Sequence, residues 1–274
     1  MIDALLNFDF IRYSLISGLL IGFIAPLIGA FIVVRRLSLI ADALSHVTLG
    51  GISFGMFLLT IIPVFSVINP MWFGILFAVI GALLIEKLRT SFSNYQEIAI
   101  PIIMSAGIAL SAIFISLADG FNQEIVGLLF GSISAVNISD LTTIIIITII
   151  VLIFIVLFYK ELFILSFDEE YSKVIGIPKW IQFLFIVIVA MVISASMRVV
   201  GILLVSALIT LPIAISMRIT KGFKQLIALS IILGELSVIL GLIIAFYMNI
   251  SPGGVIVVLL VCLLYTSDAA DDMQ

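Results

Sequence analysis

The sequence predicts an all-α, polytopic membrane bundle of about eight or nine transmembrane helices, with one further re-entrant or interfacial helix. Three observations predict it. Of 274 residues, 64% are hydrophobic and 10% charged, with a mean hydropathy of +1.45; soluble domains hold about 45–50% apolar and about 25% charged residues. The apolar stretches are long and numerous, whereas a membrane-spanning barrel shows alternating segments of about ten residues. The charges fall mostly between those stretches, and the basic ones collect on one side. The net charge of −4 and pI near 4.9 say little about partners, because topology separates the charges. The single cysteine, Cys262, excludes an internal disulfide; it lies in an apolar run and is read as lipid-facing or packing. The N-terminus shows no basic region followed by a cleavage site, so the first apolar segment is expected to stay in the protein.

Nine apolar segments are marked, at 10–34, 39–62, 69–86, 98–118, 139–159, 180–197, 199–217, 225–247 and 252–265. A span needs roughly 20 residues, which puts 69–86 near the short limit and 252–265 below it. The run 124–136 is too short to cross and reads as the re-entrant or interfacial helix. Positive charge sets the orientation. With residues 1–9 outside, ten of the twelve basic residues lie inside: Arg35, Arg36, Lys87, Arg89, Lys160, Lys173, Lys179, Arg218, Lys221 and Lys224. Arg12 and Arg198 fall outside. A crossing 124–136 would carry Lys160, Lys173 and Lys179 to the outside, so the bias favours a non-crossing segment. Segments 180–197 and 199–217 must then form a tight outer hairpin near Arg198, the alternative being one helix broken at 198–201.

Gly18-x-x-x-Gly22 and Gly51-x-x-x-Gly55 have the spacing that lets membrane helices approach closely and are read as packing. Pro26, Pro101 and Pro212 are expected to kink or terminate helices. Within the inner polar stretch 160–179, Ser166 or Asp168 is a candidate cap for a short helix over 168–175. Asp168, Glu169 and Glu170 suit its first turn, and Gly176 and Pro178 suit its end. Such a helix could dock a soluble partner, or the stretch is an ordinary solvated loop. From about 265 the sequence turns acidic and small. The expected division is a transmembrane domain over 1–264 and a polar tail over 265–274, with a non-native tail the favoured reading.

The chemistry concentrates in one stretch, Arg35 to Gly51. Asp42 and His46, the sole histidine, are four residues apart and share one face of a helix. If the second span starts near Ser38, they lie about 6 and 12 Å into it, with Ser38 and Ser45 on or beside the same face. Ionisable groups at such depth mark ion or proton pathways. Imidazole nitrogen and carboxylate oxygen suit Zn²⁺ and also Mn²⁺ or Fe²⁺. Two ligands are too few for a tight structural site, which suits a transporter that must release its cargo. Gly50 and Gly51 would leave room for an ion or a neighbouring helix. A proton relay and a mutually neutralising Asp–His pair remain open alternatives. Glu235, deep in 225–247, is a remote ligand, a partner for Arg198 or a protonated packing residue, with a structural role favoured. Asp119, Glu124 and Asp140 lie towards the outer side and read as ordinary loop acids or as weak cation attractors. The scattered methionines make no soft-metal relay. No G-x-x-x-x-G-K-[ST] phosphate loop occurs, so an ATPase, if one drives transport, is a separate polypeptide.

The run from Val33 to His46 resembles the signature of the metal-type permeases of bacterial ABC importers. Leu128 to Ile133, Ser166 to Tyr171 and Val200 to Leu208 agree with it in the family's order. The resemblance implies the ABC-importer permease fold and a homodimer in the bacterial cytoplasmic membrane. It implies two soluble partners, a cytoplasmic ATP-binding subunit and an extracytoplasmic metal-binding protein, and no nucleic acid. It places Asp42 and His46 on the pathway as ligands and the ATPase-coupling helix over about 168–177. Leu44 to Gly51 looks more like the zinc branch than the manganese branch, which tends to carry proline after the histidine turn. The tail from about 265 departs from the family, whose members usually continue through a full last span and a basic end. The reading is a permease subunit that does no covalent chemistry and holds no permanent cofactor, with Zn²⁺ or Mn²⁺ as cargo. Its rivals are a proton-coupled secondary transporter and an ABC permease for a metal chelate.

Overall fold

The computed structural model describes residues 8–61, 69–92, 95–118, 123–132 and 136–271, and every regular element among them is helical. In chain order they are α1 (Asp9–Val34), α2 (Leu39–Ile61), α3 (Met71–Ser91), a 3₁₀ turn (Gln96–Ile98), α4 (Ala99–Leu117) and α5 (Gln123–Phe130). They continue with α6 (Ile138–Leu157), α7 (Tyr159–Phe167), α8 (Glu169–Ile175), α9 (Lys179–Val200), α10 (Ile202–Ile219), α11 (Phe223–Met248) and α12 (Pro252–Asp271). Eight of these are long and apolar enough to cross a membrane: α1, α2, α3, α4, α6, α9, α10 and α11. The apolar segments of the sequence thus become helices nearly residue for residue. The last departs from expectation: α12 runs on as a 20-residue helix, about 30 Å long, although its apolar part ends at Thr266.

Side-chain contacts orient the spans. At the end of α1, Phe31 packs edge-on against Phe185 of α9 and Phe223 of α11, and at the same end Gln182 of α9 donates to Glu86 of α3 at 2.6 Å. This is the basic end, where Arg35, Arg36 and Arg89 also lie. Near the start of α1, Gly18 approaches Val199 of α9 and Leu242 of α11, which defines the far end. Hence α9 rises from the basic end to the far end and α10 returns, its Ile213 packing beside Ala30 and Leu226. The tight hairpin exists, with Gly201 as its single connecting residue. Gly201 has φ +91° and ψ 149°, a region open essentially to glycine.

The centre of the bundle is α1 and α9, each 72% buried. Helices in lipid gain no hydrophobic drive from one another, so close backbone approach must supply the packing. Both glycine pairs serve this. Gly18 and Gly22 seat Val238 of α11, and a Cβ on Gly51 would meet the Phe73 carbonyl of α3 at 2.5 Å. Pro26 cannot donate to the Gly22 carbonyl; Gly234 of α11 packs against that carbonyl and the proline ring together. The eight-residue α5 is about 12 Å long, too short to cross. Its end turns at Gly131 (φ +77°), whose backbone abuts Val199 and Val200 at the hairpin, and Ser251 before α12 donates to the Phe130 carbonyl at 2.9 Å.

Two expectations are corrected. Arg198 pairs with Asp140, Nη1 to Oδ2 at 3.2 Å, and not with Glu235. Asp140 is no ordinary loop acid: its side chain is 1% exposed and it closes a reciprocal capping box with Asn137 at the start of α6. Arg198 also reaches Asn69 Oδ1 at 3.5 Å, an oxygen that accepts from the Met71 N–H at 3.0 Å. A buried carboxylate needs such partners, and only the folded chain brings α3, α6 and α9 together to provide them. Asp119 and the side chains of Glu124 and Glu169 lie outside the described residues.

Candidate functional site

The second apolar segment forms α2, and its neighbours decide which of its faces stays accessible. α3 and α4 make the most extensive contacts with it. On the α3 side, Gly74 receives Thr48 and Ile52, and Gly81 receives Val47. On the α4 side, Gly107 lies so close that a Cβ there would sit 2.8 Å from the Val47 nitrogen. Gly50 and Gly51 therefore admit neighbouring helices. The Ser111 hydroxyl of α4 lies 2.7 Å from the Gly107 carbonyl and 3.1 Å from the His46 carbonyl, a bifurcated arrangement that ties α4 to the backbone of the histidine. The sequence reading missed Ser111 and Gly107, whose signal is a common small-x-x-x-small spacing.

With those faces covered, Ser38, Asp42 and His46 form a half-buried stripe. Among the described residues, neither Asp42 nor His46 makes a side-chain hydrogen bond or ion pair, and no group of three His, Cys, Asp or Glu residues gathers to hold a metal. The Asp–His pair is thus not closed on itself. It presents a carboxylate oxygen and an imidazole nitrogen one turn apart on a half-buried face. Ser45 is turned away from the stripe: it is fully buried and donates to the Ala41 carbonyl at 2.8 Å. Glu235 is half-buried in α11 beside Gly22, on a helix that packs chiefly against α1, α12 and α10 rather than α2.

At the basic end, α8 takes the form the sequence suggests. Asp168, not Ser166, is the cap: its Oδ1 accepts from the Tyr171 N–H at 2.8 Å. Ser166 instead donates to the Leu162 carbonyl within α7. Gly176, with φ +83°, ends the helix in the left-handed conformation. Tyr171, Val174 and Ile175 are exposed on α8, Val174 by 82%.

A family model described as the ABC 3 transport family matches residues 7–270. The chain is 30% identical over 257 residues to the manganese transport system membrane protein MntC of Listeria monocytogenes, covering 93% of this chain and 89% of that one. It is 31% identical over 257 residues to the manganese import system permease protein ScaB of Streptococcus parasanguinis, with the same coverage of 93% and 89%. Among solved structures, PsaBC from Streptococcus pneumoniae in complex with Fab superposes with a TM-score of 0.83 at 30% identity, over 97% of this chain and 93% of that one.

Proposed function

The chain belongs to the ABC 3 transport family, and on that premise we propose that it passes a divalent metal ion, zinc or manganese, across the membrane through Asp42 and His46. As a permease of this family it is a transport subunit, and ATP hydrolysis lies in a separate subunit. A secondary transporter working without an ATPase no longer fits. The reading is carried by one observation: the half-buried carboxylate and imidazole of α2 share a face and have no partner among the described residues. An ion completes the coordination that the chain leaves open, and its ligands are few enough to let go. Ser38 is an accessory candidate on the same stripe, while Ser45 and Glu235 are less favourably placed.

The basic end faces the cytoplasm in this proposal, by the positive-inside rule, with the N-terminus outside. The exposed Tyr171, Val174 and Ile175 of the capped α8 support its role as the element that docks on the ATPase, with Asp168, Glu170 and Gly176 shaping it. Glu169 is assigned to the same first turn from sequence. A binding protein outside supplies the ion, and a second copy of the chain completes the permease in the bacterial cytoplasmic membrane. Both cargo ions suit a carboxylate with an imidazole. The resemblance of residues 44–51 favours zinc, whereas manganese stands in the names of the relatives above.

The test is ATP-dependent uptake of Zn²⁺ and Mn²⁺, singly and in competition, by the assembled transporter at equal expression of wild type and His46→Ala. Uptake is expected to fall at least about tenfold, equivalent to about 1.4 kcal/mol of lost ion stabilisation, while assembly and basal ATP hydrolysis persist. Unchanged uptake by the variant overturns the assignment of His46, and the competition identifies the cargo.

A further inference from the structure

Near the basic end of α3, both carboxylate oxygens of Glu86 are engaged. Oε1 accepts from Nε2 of Gln182 on α9 at 2.6 Å, and Oε2 accepts from Nη1 of Arg89 at 3.3 Å. Gln182 is the fourth residue of α9, and a link of three residues, 176–178, joins α9 to α8. That link is stiff. The Ile177 N–H donates to the Ser172 carbonyl at 3.0 Å, Gly176 is left-handed at φ +83°, and the ring of Pro178 fixes its φ, here −63°. Apart from this link, α8 packs chiefly on α7. Between α8 and α3 lies a cavity of about 660 Å³, walled in part by Ser172, Lys173, Glu86 and Thr90. A displacement of α8 therefore enters the bundle through the first turn of α9.

From Glu86 the way to the ion site is short. Gly81, five residues back and about 7.5 Å along α3, packs on Val47, the residue after His46, and Gly74 packs on Thr48 and Ile52. A Cβ on Gly81 would lie 2.9 Å from the Val47 side chain, and one on Gly74 2.6 Å from that of Ile52. Helices this close move together, because a close-packed interior transmits displacement rather than absorbing it. Resting on the proposed pathway through Asp42 and His46 and on the docking of α8, we infer that Gln182 and Glu86 link the ATPase-coupling helix to the helix that holds the ion. They are positioning residues, and neither touches the cargo. The apolar flanks of α9 and α3 gain no hydrophobic drive from each other in lipid, so they resist sliding weakly. An amide donating to a carboxylate is directional and fixes their register. When α8 moves with the ATPase, Gln182 draws α3 with it, and α3 carries α2. Without that bond ATP is still hydrolysed, but α2 lags.

The experiment uses the complete transporter in proteoliposomes, with the binding protein outside and ATP inside. Uptake of labelled Mn²⁺ or Zn²⁺ and release of phosphate are measured in the same vesicles, giving ions imported per ATP hydrolysed. Gln182→Met keeps the length of the side chain, removes the donor and leaves Glu86 its Arg89 partner. Its ratio is expected to fall about three- to tenfold, the scale on which residues along such a network alter coupling, while hydrolysis stimulated by the binding protein persists. Gln182→Glu, which sets two carboxylates against each other, should fall at least as far. Adding Glu86→Gln to it restores an amide-to-carboxylate bond with the roles exchanged, and should recover most of the ratio. Thr90→Val, on the same cavity wall but bonded within its own turn, should match wild type. A clamp that merely stabilises the fold would lower uptake and hydrolysis together and leave the ratio unchanged. A wild-type ratio in Gln182→Met and Gln182→Glu, no recovery on exchange, or an equal fall in Thr90→Val overturns the inference. Wild-type uptake by His46→Ala would instead overturn the pathway on which it rests, whatever the ratio in the Gln182 variants.

Discussion

Two of the membrane-embedded carboxylates stand in opposite conditions. At the far end, Asp140 is buried, capped by Asn137 and paired with Arg198. On α2, Asp42 is half-buried and, among the described residues, neither hydrogen-bonded nor ion-paired. Both begin as an acid near or inside an apolar run, and sequence hydropathy treats them alike. The difference is satisfaction. A carboxylate whose charge the chain neutralises can hold helices in place, but it has nothing to offer a cargo. One that the chain leaves open, beside an imidazole on the same face, has its coordination still to make.

Three substitutions test this contrast. The largest effect is expected at the far end, where Asp140→Asn removes the carboxylate of the buried ion pair with Arg198, at a cost of about 3–5 kcal/mol. Thermal unfolding in detergent should show a large loss, and Arg198→Met in the same chain should recover much of it. If Asp140→Asn is as stable as wild type, the two carboxylates are not distinguished by satisfaction. Next comes Gly107→Ala, which forces a methyl against the Val47 backbone at 2.8 Å and costs about 1–3 kcal/mol by overpacking. It is expected to push α4 from α2, loosen the Ser111 contact to the His46 carbonyl and lower metal uptake with little change in basal ATP hydrolysis. Full uptake would mean that α4 does not position the histidine. The smallest effect is Asp168→Ala, which removes the cap of α8 at about 1 kcal/mol. ATP hydrolysis should then respond less to the binding protein while the ion site is untouched; an unaltered response would detach α8 from coupling.

Much of this was legible in the chain. The spans follow from runs of apolar residues, because a helix in lipid must satisfy its backbone internally and needs a fixed length to cross. The non-crossing α5 followed from charge bias, the 9–10 hairpin from the same bias, and the cap and stop of α8 from Asp168 and Gly176. Asp42 and His46 stood out because depth makes ionisable groups costly. What misled was partnership. Arg198 stood as one of several candidate partners for Glu235, whereas the fold brings it Asp140, 58 positions away in the chain. Ser45 lay on or beside the favoured face by spacing, but a serine within a helix can satisfy itself on the carbonyl one turn back, and this one does.

By itself, the sequence determined that the chain is a membrane helical bundle, where most of its spans fall, which end is basic, and which helix carries an acid and an imidazole on one face. These are local properties, set by the residues within one or two turns and by the thickness of the bilayer. Only the tertiary structure decided which of those polar groups are spent on the fold and which stay open. It closed Asp140 upon Arg198, fitted glycines of α3 and α4 around α2, and left the half-buried side chains of Asp42 and His46 open. The physical reason is that the state of a buried charge depends on what lies within a few ångströms of it, and in a bundle those neighbours come from distant parts of the chain.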